Sequence, residues 1–294
     1  MNLEIPKKLD NLKESVYTIA KTFFRPISRK YDIEEHVYPK ELDLFASLLK
    51  GASEGGMAVG GASGEKDSKQ PVVKDYSIVR NGSNMSNVVN MQALCYGDVG
   101  LVLTIPGQGL GNSAIAAVAK GEQLEKFGKM WAAMAITEPG TGSDSANIKT
   151  TATKDGDEYI INGEKIYITC GERADCIVVW ATLDRNLGKA AIKSFIVEQG
   201  TPGMRLERLE HKLGIRASDT AAVVFTNCRI PASNLLGDPE INVEKGFAGV
   251  METFDNTRPF VAAFALGCTE AAIERTKELL VDNLNLDYKT PINN

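Results

Sequence analysis

The sequence predicts an α+β fold in three parts: an N-terminal helical domain (1–129), a middle antiparallel β domain of barrel or sandwich type (130–241), and the start of a C-terminal helical domain, incomplete, at 242–294. Three observations predict it. Apolar residues recur at three- and four-residue spacing in the first part. They then give way to short, closely spaced apolar runs separated by tight turns. Helical spacing returns in the third part. Strands that do not alternate with helices disfavour a doubly wound parallel sheet.

In the first part, Leu9, Leu12, Val16, Ile19, Ala20, Phe23 and Phe24 line one face of a helix that Pro26 is expected to end. Leu42, Phe45, Leu48 and Leu49 mark a shorter helix after Pro39. Tyr76 to Leu94 is a third, interrupted at Gly82, and Gly111 to Lys120 and Glu122 to Phe127 complete the set. The stretch 51–70, rich in Gly and Ser, reads as a flexible loop. Gly107-Gln108-Gly109-Leu110-Gly111 does not match the dinucleotide pattern and reads as a break between two helices.

In the middle part, strands are expected at 131–136, 149–154, 159–161, 165–169, 176–181, 191–197 and 221–225. Asp155-Gly156-Asp157 and Asn162-Gly163 are read as the turns between strands. In the third part, Phe247, Val250, Met251 and Phe254, then Val261, Phe264, Ala265, Ala272, Ile273 and Leu279, continue a long helix that Pro259 should kink or interrupt. Such a helix cannot bury its apolar face alone and calls for a helical partner.

Composition narrows the function classes. The chain has 294 residues, 43% of them hydrophobic and 24% charged, which is ordinary for a soluble globular protein. A net charge of −5 argues against general nucleic-acid binding. Cys95, Cys170, Cys176, Cys228 and Cys268 are scattered, with no C-x-x-C pair, so neither a disulfide framework nor a zinc site is expected. Cys170 and Cys176 read as packing residues. With only two histidines, His36 and His211, no metal site is expected. No apolar run is long enough for a membrane span, and no signal peptide is seen at the N-terminus, so the expected location is cytoplasmic.

Several motifs then occur in one order. The run Met134-Ala135-Ile136-Thr137-Glu138-Pro139-Gly140-Thr141-Gly142-Ser143-Asp144 resembles the T-E-P-x-x-G-S-D signature of the acyl-CoA dehydrogenases. Asn162-Gly163-Glu164-Lys165-Ile166-Tyr167-Ile168-Thr169 resembles their N-G-x-K-x-W/Y-I-T strand. Leu213-Gly214-Ile215-Arg216-Ala217-Ser218-Asp219-Thr220 resembles their L-G-x-R-x-S-D/N-T turn, and Phe254-Asp255-Asn256-Thr257-Arg258-Pro259 their F-D-x-T-R-P helix.

The resemblance implies a FAD-dependent enzyme that removes the α proton of an acyl-CoA thioester and passes the β hydrogen as hydride to flavin N5, giving a trans-2-enoyl-CoA. It implies flavin contacts from Met134, Ile136, Thr137, Gly142, Ser143, Tyr167, Ile168 and Thr169. Backbone donors at Ile136 and Thr137 would meet the pyrimidine edge of the ring and stabilise its reduced, anionic form. Acyl-CoA contacts are implied for Ser143, Asp255, Thr257 and Arg258. An ion pair within a helical bundle is the competing reading of Asp255 and Arg258. The electron acceptor implied is an electron-transferring flavoprotein, and the full-length assembly a homo-oligomer.

The sequence departs from the family in three places. No catalytic base is found: the glutamate is expected beyond residue 294, and Thr257, at the alternative base position, is far too weak a base. The R-x-x-F-G motif is replaced by Leu286-Asp287-Tyr288-Lys289-Thr290-Pro291. Thr141 and Asn147 stand where relatives carry smaller residues. Two alternatives therefore remain open. One is an acyl-CoA oxidase or other flavin enzyme on the same scaffold. The other is a non-catalytic protein that binds FAD and acyl-CoA.

Overall fold

A computed structural model describes residues 7–54, 83–241 and 248–284. Among the described residues seven α-helices precede the sheet: α1 (Asp10–Ile19), α2 (Arg25–Ile33), α3 (Glu41–Glu54), α4 (Ser83–Gly97), α5 (Val99–Leu103), α6 (Leu110–Val118) and α7 (Glu122–Phe127). Seven strands follow: β1 (Ala132–Ala135), β2 (Thr151–Asp155), β3 (Glu158–Thr169), β4 (Cys176–Thr182), β5 (Ile192–Glu198), β6 (Met204–Leu209) and β7 (Thr220–Pro231). A long helix, α8 (Ala248–Leu284), comes last. Helices, a β domain and a further helix thus appear in the expected order.

The strands form one sheet in the order β1-β4-β2-β3-β7-β6, with β5 also on β4. Most pairings are antiparallel, but β1 runs parallel to β4, and β2 meets β4 through one parallel bridge, Thr151↔Thr182. The sheet is covered on both faces. Ala133, Ala135, Ile161, Ile177, Val179, Phe195 and Phe225 fill one core. Ala132, Ile136, Val178, Trp180 and Ile196 fill a second, closed by Ile115 and Phe127 from the helices and Val250 of α8. β4 lies between the two cores, so all seven of its residues are buried. A third core lies among the helices, around Phe24, Tyr31, Leu42, Phe45, Leu94 and Leu101.

Several sequence expectations need correction. Pro26 does not end the first helical run. A π-helical turn, Ala20–Phe24, carries it on, with Arg25 N–H donating to Ala20 O, and Pro26 then falls in the first turn of α2, where a missing donor costs little. Gly51 to Glu54 belong to α3 rather than to a loop, whereas 55–70, like the Tyr76–Gly82 start of the third helix, lies outside the described residues. Asn162-Gly163 is not a turn: β3 is continuous there and bulges, its register against β7 shifting between Ile161 and Gly163. Asp155-Gly156-Asp157 is the turn expected. Strand β6 was not anticipated, because Met204–Leu209 is largely exposed and carries no apolar run. Pro259 removes one backbone donor from α8 without ending it.

The glycine-rich run before α6 does separate two helices, and it also lets them reach the sheet. A Cβ on Gly109 or Gly111 would collide with the carbonyls of Ala132 and Ala133. The N-terminal end of α6 therefore rests directly on the β1 backbone.

Candidate active site

The two motif runs meet at the end of β1. Ile166 N–H donates to Thr137 O (2.9 Å), and Lys165 Nζ donates to Ile136 O (2.9 Å). The residues after β1 and the end of β3 thus form one wall. Between Lys165 and Ile168 the register of β3 on β7 slips, and Tyr167 occupies the slip with φ 57°. Its side chain is 62% exposed. A left-handed, non-glycine residue costs roughly 1–2 kcal/mol, and a residue so exposed recovers little of it by packing. The conformation suits a flat partner laid against the ring.

The wall keeps hydrogen-bonding capacity free. The hydroxyls of Thr137 and Thr169, both half-buried, make no hydrogen bond among the described residues. Gly142 is open: a Cβ there would meet nothing within 4 Å, so packing inside the chain does not require glycine at this position. Ser143 beside it is exposed. Met134 is half-buried and, with Phe254 of α8, borders the second core, to which Ile136 belongs. Ile168 is buried completely in the first core, so only its backbone can face a ligand.

A buried charge pair holds the wall in shape. Glu138 Oε1 lies 2.8 Å from Lys165 Nζ, with the two side chains 6% and 0% exposed. The Glu138 carboxylate also accepts from Lys149 N–H (2.6 Å) and Thr150 N–H (2.9 Å). Burial drives the Lys165 pKa down, to about 8, and Glu138 opposes that drop. Burial likewise works against the Glu138 carboxylate, but Lys165 and the backbone donors outweigh it and lower its pKa. Glu138 N–H and O exchange bonds with Thr141 O and N–H, closing a tight turn in which Thr141 is buried. The larger residue at 141 is therefore accommodated inside the turn. Sequence reasoning passed over Glu138 and Lys165. Each stands in one of the motifs with opposite charge, but nothing local in the sequence pairs them.

The Leu213–Thr220 turn is anchored by a second pair. Asp219 and Arg173 are 0% and 7% exposed, with Oδ1 3.3 Å from Nε. Asp219 Oδ2 accepts from Glu172 N–H (2.9 Å). Burial raises the Asp219 pKa against these partners. Arg216 in the same turn donates to Asp32 O (2.6 Å) and so fastens the helical part to the sheet.

The α8 residues expected at the coenzyme are placed differently from one another. Asp255 and Arg258 are exposed, 3.6 Å apart, and the Arg258 guanidinium lies over the Phe254 ring. Thr257 is 5% exposed, and its hydroxyl donates to Thr253 O (3.1 Å) within the helix. Among the described residues, Ser143 makes no hydrogen bond to Asp255 or Arg258, which pair with each other. Glu270, also on α8, accepts from Tyr17 and Gln92 of the helical part. The buried cysteines 95, 170, 176 and 228 are free thiols with pKa values raised by burial, as packing residues should be.

The three-part fold with a motif wall at the end of β1 defines the class: the architecture of the acyl-CoA dehydrogenases. The family description "Acyl-CoA dehydrogenase, middle domain" matches residues 133–228. The mitochondrial short-chain specific acyl-CoA dehydrogenase of Rattus norvegicus is 31% identical over 278 residues, 93% of this chain and 63% of the relative. The short-chain specific enzyme of Clostridium acetobutylicum is 40% identical over 163 residues, 55% of this chain and 40% of the relative. The structure of butyryl-CoA dehydrogenase from Megasphaera elsdenii superposes with a TM-score of 0.77 at 29% identity, covering 99% of this chain and 73% of that one. Over 93% of its length the chain is thus similar in sequence to a member of the acyl-CoA dehydrogenase family, and residues 133–228 match that family's middle domain. The chain spans less than two thirds of the length of these curated relatives. Members of the family are FAD-dependent flavoproteins. No helix among the described residues is long and apolar enough to cross a membrane.

Proposed function

We propose that the chain binds FAD along the Thr137–Tyr167 wall and serves in the α,β-dehydrogenation of an acyl-CoA. One observation carries the reading: Tyr167 holds a left-handed backbone and an exposed ring beside two threonine hydroxyls with no partner in the described chain. When bound, FAD supplies the acceptor for a hydride from the substrate β carbon. Thr137 and Thr169 donate to the ring edge or the diphosphate, and Tyr167 packs on the ring face. Backbone at Met134, Ile136, Gly142 and Ile168 completes the contact. The Glu138–Lys165 pair keeps these groups fixed before the ligand arrives, so that binding loses little conformational entropy. Ser143, Asp255 and Arg258 are proposed at the coenzyme A part, where exposed hydroxyl, carboxylate and guanidinium groups suit phosphate, pantetheine and adenine.

Thr257 is committed to its own helix, and Glu270 is held by Tyr17 and Gln92, so neither is placed as a base among the described residues. The second reading is a protein that binds FAD and acyl-CoA without turnover. An electron-transferring flavoprotein as acceptor and assembly into a homo-oligomer belong to the first reading. The exposed Val261, Leu266 and Ile273 on α8 offer apolar surface for such assembly. Anaerobic mixing of the FAD-loaded chain with butyryl-CoA separates the two readings. Loss of the flavin absorbance band supports dehydrogenation. A band that shifts but persists supports binding alone.

A further inference from the structure

The two histidines of the chain face each other. His36 lies beyond the end of α2 and His211 beyond the end of β6, with ring centroids 5.2 Å apart. Glu35 joins them, its Oε2 3.0 Å from His211 Nδ1. One ligand atom from each of the three lies within 4.8 Å of the others.

His36 carries two costs that its surroundings do not offset. Both ring nitrogens are buried without a hydrogen-bond partner among the described residues, a loss of roughly 1–3 kcal/mol for a polar group. Its backbone is left-handed, at φ 70°. The feature that would relieve the first cost is a ligand for the ring nitrogen.

We propose that Glu35, His36 and His211 form a site for a divalent transition-metal cation of the zinc type, clipping the segment after α2 to the segment after β6. Two imidazoles and one carboxylate are the nitrogen and oxygen donors such cations prefer, and three protein ligands leave a fourth position for water. In a tetrahedral zinc shell the ligand atoms stand about 3.4 Å apart. Closing from the present spread needs a shift on the order of 1 Å, and His211, with a side chain 84% exposed, is free to make it.

The cations around the cluster act in two ways. Arg216 lies 3.4 Å from Glu35 Oε2, Lys212 N–H donates to Glu35 Oε1, and Arg173 donates to the His36 and Val37 carbonyls. These donors fix the Glu35 carboxylate beside His211. The same positive charges repel a dication, so the site binds with moderate affinity.

The test is calorimetric titration of zinc chloride into the full chain at neutral pH, in a Cys268→Ser background that removes the exposed thiol. NMR of the two imidazoles is followed in parallel. The expected result is one saturable site, shifts in both imidazole signals, and a rise in unfolding temperature. His211→Ala, at an exposed position, keeps the fold and weakens zinc binding at least tenfold, and Glu35→Gln does the same. Absence of a saturable site, or affinity unchanged in both variants, would overturn the proposal.

Discussion

Replacing Glu138 with Ala removes one half of a pair whose members are 6% and 0% exposed, and leaves the Lys165 ammonium with Ile136 O as its remaining acceptor. Breaking a buried pair from one side costs about 3–5 kcal/mol. The Lys149 and Thr150 backbone donors lose their acceptor as well, and the exposed position of Lys149 lets water replace part of that loss. The expected loss is about 4 kcal/mol, a large share of a typical domain stability of roughly 5–15 kcal/mol. Lys165 limits the damage by giving up its proton, since burial already holds its pKa to about 8. The unfolded chain binds that proton more tightly than the folded variant, so the loss shrinks as pH rises from 7 toward 9. Removing both charges, as Glu138→Leu with Lys165→Met, should recover about 2 kcal/mol relative to Glu138→Ala. Urea unfolding followed by the fluorescence of Trp131 and Trp180 reads these differences as midpoint shifts at constant slope. A loss under about 1 kcal/mol, or a double variant no more stable than the single one, refutes the claim that this pair holds the loop.

Three further outcomes are expected. Tyr167→Gly relieves the left-handed backbone and loses little packing, so unfolding stability should change by less than about 1 kcal/mol while FAD affinity falls. Equal affinity would show that the ring is idle. Gly111→Ala drives a Cβ into the Ala133 carbonyl and should cost about 1–3 kcal/mol, again read by urea; a neutral change would mean that α6 can lift off the sheet. His36 is held neutral by burial, so its folded pKa lies below its unfolded one. Stability should therefore fall as pH drops below about 6.5, where the unfolded state takes up the proton first. His36→Asn, which also tolerates a left-handed backbone, should flatten that slope in metal-free buffer; an unchanged slope would assign it to other groups.

How much was legible in the sequence depended on where each signal lay. Helix-period residues such as Leu42, Phe45 and Leu94 and the apolar Cys176–Ala181 run marked their elements because one or both faces are buried. Strand β6 escaped because charges alternate along an exposed edge, and Pro26 misled because a π turn upstream changed the hydrogen-bond register before the proline arrived. Asn162-Gly163 has turn chemistry yet forms a bulge: Gly163 lies so close to Thr150 that a Cβ would clash with it. At the site, the motifs pointed to Thr137, Tyr167 and Thr169, which the fold does bring to one wall. Pairings distant in sequence, Glu138 with Lys165 and His36 with His211, carry no local pattern and became visible only in three dimensions.

Equilibrium titration of FAD into the purified chain, followed by flavin fluorescence, tests the proposed wall most directly. One FAD per chain is predicted, with affinity reduced at least tenfold by Thr137→Ala or Tyr167→Gly while each variant keeps its unfolding midpoint. No saturable binding, or affinity untouched by both substitutions, would contradict the assignment of the Thr137–Tyr167 wall as the flavin site.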